Sequence, residues 1–148
     1  MTLLRALDPG KTTGFSEWHY DAITPLTLLD HGQISGGSRG LIAWWQSRPE
    51  PNEVVAEIFI DDHRTMSPDL TPVRIEGALD VLFPGWIGQR NFSKLGATDE
   101  CLRRSDLWIV GQQHSRDSIR HALSYMKARK HVPTIKRYWP QGRHLRTV

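Results

Sequence analysis

A strand that runs into a single carboxylate and is then broken constrains this chain more than any other feature. Leu3-Leu4-Arg5-Ala6-Leu7 is mostly apolar, ends on Asp8, and is stopped at once by Pro9-Gly10. Proline fixes φ and removes a backbone donor, while Gly10 and Gly14 permit close backbone approach, so the chain can turn and return beside itself as a second strand. Asp8 is thereby left at the mouth of a buried strand, where a carboxylate either forms the turn or coordinates a cation. A phosphate-binding P-loop does not fit, because its pattern requires a glycine five residues before Gly10, where Arg5 stands. The Asp-x-Gly-x-Thr loop of actin-like and sugar-kinase ATPases works between two domains, and 148 residues provide one. No nucleotide cofactor is expected.

Hydrophobic residues make up 39% of the chain and charged ones 24%, a balance that gives a core without a bias toward disorder. No apolar run approaches the ~20 residues of a membrane span, and no signal-peptide pattern opens the chain, so a cytoplasmic protein is expected, in the host cytoplasm if the gene is viral. Cys101 is the sole cysteine and is read as an incidental thiol, since it has no internal partner for a disulfide.

Charge is divided unevenly along the chain. Residues 1–117 carry a net charge of −5, and residues 118–148 carry +8 with no acidic residue. Lys136, Arg137, Arg143 and Arg146 stand there among His131, Tyr138, Trp139 and His144. Two domains of organisation follow, a body over 1–130 and a basic arm over 131–148. Cations interleaved with aromatic side chains suit a nucleic acid, whose phosphates meet the former and whose bases or sugars meet the latter. A solubilising tail is the plainer alternative.

Alternating and turn-punctuated segments predict strands over 3–8, 13–20 and 26–34, then a helix near 39–47 that Gly36-Gly37-Ser38 opens. Leu41, Ile42, Trp44 and Trp45 cannot all face one core, so one tryptophan belongs inside and the other at a surface or partner interface. A fourth strand follows at 53–60, a helix entered at Pro72 with an apolar stripe of Ile75, Ala78, Leu79, Leu82 and Phe83, a fifth strand near 86–91, and a short helix to about 104. Within the fourth strand, Glu57 interrupts a β-branched run. A carboxylate is costly there unless a cation, a metal or a cleft compensates it; an edge strand or a buried arginine pair would also serve.

The last long helix, predicted over 114–130, divides into three faces. His114, Asp117, Ser118, His121 and Tyr125 form a polar stripe, Ile119, Ala122, Leu123 and Met126 a core stripe, and Arg116, Arg120 and Lys127 a solvent stripe. His114 and Asp117 lie one turn apart on one face, so both can reach one metal; singly, each reads as a surface or helix-start residue.

Together these residues resemble a RuvC-type Holliday junction resolvase of the RNase H-like nuclease superfamily. Asp8-Pro9-Gly10 with Thr13-Gly14 fits the family's Asp-Pro-Gly-x-x-x-Thr-Gly, although the last two residues are spaced differently. Glu57 matches its second acid, and His114-x-x-Asp117 matches the closing pair in versions with His at the first position. The segment from His114 to Leu123 is most similar to the short resolvases of some bacteriophages. The likeness spans residues 3–128, with 84–112 matched by order alone.

The resemblance implies an α/β, RNase H-like fold with a five-stranded mixed sheet flanked by helices. It implies an Mg²⁺-dependent endodeoxyribonuclease that resolves four-way junctions by paired hydrolysis, leaves 5′ phosphates and acts as a homodimer. Asp8, Glu57, His114 and Asp117 become the catalytic and metal-binding residues, with Asp8 bridging two Mg²⁺ ions and Mn²⁺ a plausible substitute. Lys11, Arg64, Lys94, Lys136, Arg137 and Arg143 are expected to contact nucleic acid. The helix near 72–83 and the two tryptophans are the candidate dimer surfaces. Alternatives are a fork or flap nuclease, a YqgF-type RNA-processing nuclease, whose usual Gly-Leu-Pro is absent after Ile60, and a non-catalytic branched-DNA binding protein.

Overall fold

Strand β1 (Thr2–Asp8) is the centre about which the molecule is laid out. In the computed structural model, which describes residues 1–59 and 69–140, it pairs antiparallel with β2 (Thr12–Tyr20) and parallel with β4 (Glu53–Glu57). Strand β3 (Thr27–Ser35) extends the sheet beyond β2, and β5 (Ile87–Gln89) extends it beyond β4 in parallel, giving the order β3-β2-β1-β4-β5. This is the five-stranded mixed sheet that the sequence predicts. Among the described residues, no helix is long and apolar enough to cross a membrane.

Alternation along the strands sends successive side chains to opposite faces and thereby builds two cores. Leu4, Ala6, Trp18 and Val55 belong to one core, closed by Ile119, Ala122, Leu123 and Met126 of α4 (Gln113–Ala128). Leu7, Phe15, Val54 and Ala56 belong to the other, closed by Leu41 and Trp45 of α1 (Gly37–Gln46) and by Ile75 and Leu79 of α2 (Thr71–Leu82). Trp45 is buried and Trp44 partly so, dividing their roles as the sequence predicts. Arg5 shares the α1/α2 face, fully buried, bonded to Glu17 at 3.0 Å and stacked on Trp45 at 4.3 Å. An arginine inside an apolar run is tolerable there because its strand partner in register is that glutamate.

A 3₁₀ turn, Asn91–Gly96, and α3 (Asp99–Arg104) connect β5 to the last helices. After α4 the chain folds into α5 (Val132–Tyr138), whose Thr134 and Tyr138 are buried. Thr134 Oγ1 accepts the Leu26 N–H at 3.0 Å, Tyr138 donates to the Leu26 carbonyl at 2.6 Å, and Trp139 donates to the Gly96 carbonyl at 3.2 Å. The first half of the expected basic arm is therefore packed against the core of the body, while its Val132, Lys136 and Arg137 side chains are exposed.

Candidate active site

The carboxyl ends of β1 and β4 lie side by side, which is where open α/β sheets present their binding crevices. Leu7 pairs with Ala56, so Asp8 and Glu57 are the next residues on each strand, and parity turns both toward α4. The ladder ends at Glu57. That corrects the expected strand over 53–60: the carboxylate closes β4 at the cleft and does not interrupt a buried run.

Helix α4 comes down on this end through a glycine. A Cβ at Gly14, the strand partner of Asp8, would sit 1.9 Å from the His114 carbonyl oxygen, so only glycine lets the first turn of α4 touch the sheet. The His114 N–H is accepted by Gln33 Oε1 of β3 at 3.2 Å, which anchors that turn. His114 Nδ1 then lies 3.0 Å from Asp8 Oδ2, with nearly half of the His114 side chain exposed.

Lys94, on the 3₁₀ turn, completes the arrangement. Its Nζ stands 3.3 Å from Glu57 Oε1 and 3.3 Å from Asp117 Oδ2. All four expected site residues are thus gathered at one end of the sheet, with the Lys94 ammonium between two of them. Asp117 is also 3.5 Å from Arg120 Nε, and Arg120 donates to the Ala97 carbonyl at 2.6 Å. Arg120 accordingly leaves the solvent stripe expected for it and braces Asp117 from behind.

His121, expected only as a member of the polar stripe, is fully buried and holds Glu57. Its Nε2 is 3.0 Å from Glu57 Oε1 and its Nδ1 is 2.7 Å from the Gln89 side-chain amide. With that amide turned so that its nitrogen meets Nδ1, it also donates to the His121 carbonyl at 3.2 Å and accepts the Tyr125 N–H at 3.3 Å. In this orientation Nδ1 accepts from the amide and Nε2 is the nitrogen that donates to Glu57. The sequence signal for this was the i, i+4 spacing from Asp117; Gln89, on a three-residue strand, left none.

The electrostatics follow from crowding. Burial, reinforced by the negative Glu57 and Asp117, raises the Asp8 pKa from 3.8 to about 6 against the opposing pull of the His114 hydrogen bond and Lys94. Burial would raise Glu57 as well, but the His121 bond and the Lys94 charge outweigh it and hold that carboxyl below its ordinary value. Lys94 is partly desolvated, yet Glu57, Asp117 and Asp8 hold its pKa above the ordinary value.

The other expected contacts are dispersed. Lys11 is exposed in the β1–β2 turn and touches none of the four site residues, while Lys136 and Arg137 are exposed on α5. Arg64 and Arg143 lie outside the described residues. No cluster of three His, Cys, Asp or Glu side chains among the described residues is closed up as an ion cage, since Lys94 separates Glu57 from Asp117 and His114 is turned onto Asp8. The donor set is still suited to a hard cation: three carboxylates converge where a positive charge is already required.

No protein-family model and no curated protein matches the chain. Solved structures do. Thermus thermophilus RuvC in complex with a Holliday junction substrate is 13% identical with a TM-score of 0.65, covering 90% of this chain and 98% of that one. The fowlpox virus resolvase in complex with substrate Holliday junction DNA is 14% identical with a TM-score of 0.60, covering 84% and 99%. T. thermophilus RuvC alone is 16% identical with a TM-score of 0.58, covering 86% and 95%. The chain has the RNase H-like fold of the RuvC-type and poxvirus Holliday junction resolvases.

Proposed function

We propose that this chain is a divalent-metal-dependent, structure-specific DNA endonuclease that resolves four-way junctions as a homodimer by hydrolysing paired phosphodiesters. The observation that carries this reading is the gathering of Asp8, Glu57 and Asp117 at the carboxyl end of the sheet, with the Lys94 ammonium between Glu57 and Asp117, in a fold shared with the RuvC and fowlpox virus resolvase structures. Mg²⁺, with Mn²⁺ as a substitute, would be held by Asp8, Glu57, Asp117 and His114. Bound there, such ions supply an acidified water and neutralise charge on the phosphate and on the leaving oxygen.

The protein's own groups do the rest. Asp8 is ionised at neutral pH, because a value near 6 leaves its proton off, and His114 orients it through Oδ2. His121 and Lys94 both hold Glu57 through Oε1 and so fix the orientation of its carboxylate. Lys94, kept protonated by its acidic neighbours, offers N–H donors to a phosphate oxygen arriving among those carboxylates. Two copies related by a two-fold axis would present two such clefts to the symmetry-related strands of a junction.

The test is incubation with synthetic four-way, flap and linear DNA in Mg²⁺, with mapping of the cut ends. Paired, symmetric cuts in the four-way substrate with 5′ phosphates are expected. Equal cutting of flaps would move the reading to a fork nuclease, and binding without cutting to a branched-DNA binding protein.

A further inference from the structure

The helices α1 and α2 both begin at the sheet end that carries Asp8 and Glu57, because each follows a strand that ends there. Between their first turns is an open cleft of about 440 Å³, lined by Lys11 of the β1–β2 turn, Gly36, Gly37, Ser38 and Arg39 at the start of α1, and Thr71 and Arg74 of α2. Three cations from three separate segments thus face one concavity on the other side of the Asp8-Pro9-Gly10 turn from the carboxylates. The cleft is kept open by small residues. Gly36 and Gly37 both have positive φ, 94° and 58°, and a Cβ on Gly37 would come within 3.2 Å of Thr71 Cγ2.

Its chemistry is that of an anion site. Gly36 provides no side-chain cap for α1, no acidic residue lies in that helix's first turn, and the Gly37 N–H is taken by the Lys11 carbonyl at 3.2 Å, which ties the turn bearing Asp8 to the helix. The Ser38 and Thr71 hydroxyls add hydrogen-bonding capacity beside the three positive charges. One carboxylate is near: Asp69 accepts the Thr71 N–H at 3.0 Å and lies close to Lys11 and Arg74. It is engaged with the Thr71 backbone and does not line the cleft. An apolar ligand has little to gain among these groups, whereas a phosphodiester meets charge and hydroxyl donors at once.

We propose that this cleft binds a backbone phosphate of the nucleic acid on the strand that continues past the scissile bond, so that the strand crosses the end of the sheet from the carboxylates of the α4 face to the cations of the α1/α2 face. The inference rests on the nuclease reading above and adds a second point of attachment to it. Lys11 is the hinge of the arrangement, since it lies three residues from Asp8 and its carbonyl holds α1.

The test uses the full chain and the variants Arg39→Ala, Arg74→Ala and the double variant, none of which touches the carboxylate cluster. Four-way junction binding is measured in EDTA across a salt series, with unfolding curves checked against the unaltered chain. Loss of the phosphate contact should flatten the slope of log K against log salt by about 0.9 and lower affinity roughly tenfold at 0.1 M salt, with the whole effect in the double variant and part of it in each single one. Cleavage at saturating protein and low salt should persist. Full affinity and slope in the double variant, while the unaltered chain still cuts junctions, would overturn the cleft and leave the nuclease standing. If the unaltered chain binds no DNA, the nuclease reading itself fails. A parallel titration with inorganic phosphate, following the Ser38 and Arg39 amides by NMR, separates the two sources of the anion. Shifts there together with unchanged DNA binding would mean a site for free phosphate, which also overturns the proposal.

Discussion

Asp8 combines its proposed role in the site with a cost to the fold. Its folded pKa of about 6 lies above the ordinary 3.8, so between these values the folded protein binds more protons than the unfolded chain. Stability therefore falls as pH rises through that window and levels off above it, by up to about 3 kcal/mol. Asp8→Asn should consequently unfold at a temperature higher by at least about 4 °C at pH 8 without divalent ions, with the gain vanishing near pH 4. Thermal unfolding in EDTA at both pH values checks this; a less stable variant at pH 8 would mean that the His114 bond outweighs burial. Glu57 has the opposite sign, since its depressed pKa makes its contribution present at neutral pH and lost in acid. His121→Ala should reduce cleavage about 10- to 100-fold by releasing Glu57, with part of the rate restored by His121→Asn, which returns an N–H donor. Steady-state cleavage of one junction by both variants distinguishes orientation from bulk, because a purely packing role would not favour Asn.

Elements were easier to read from the sequence than the contacts between them. The stripe of Ile119, Ala122, Leu123 and Met126 and the alternation in β1 identify which faces are buried, and the break after Asp8 identifies the return of β2 beside β1. His121 and Arg120 could not be placed in this way, because their partners, Gln89, Asp99 and the Ala97 carbonyl, come from segments without periodicity. Charge was misleading for α5. Its cations suggested an arm, but the buried Thr134, Tyr138 and Trp139 alternate with them and determine where the helix lies. A chain ending at Lys130 should therefore fail to fold, while one ending at Pro140 retains the α5 contacts and should lose about two units of salt slope if Arg143 and Arg146 meet phosphates. Circular dichroism and a binding series on both truncations test the boundary. The contact of α4 with the sheet depends on Gly14: Gly14→Ala should cost at least about 2 kcal/mol and most of the cleavage, since the added methyl meets the His114 carbonyl and not a movable side chain.

At the scale of the whole molecule, one copy provides one cleft, and resolution requires two cuts. The proposed dimer should sediment at twice the 17.0 kDa chain mass, and mixing the unaltered chain with an excess of Asp8→Asn should convert paired cutting into single nicks. Paired cutting that survives the excess would mean that each copy acts alone. All of this requires that the carboxylates at the end of the sheet form the catalytic centre and not a structural ion pair. The most direct measurement is cleavage and binding of one four-way junction in Mg²⁺ by the unaltered chain and by Asp8→Asn. The unaltered chain should cut symmetrically, and the variant should bind within a few fold without cutting; undiminished cutting by Asp8→Asn would make the carboxylates a structural feature and not the catalytic centre.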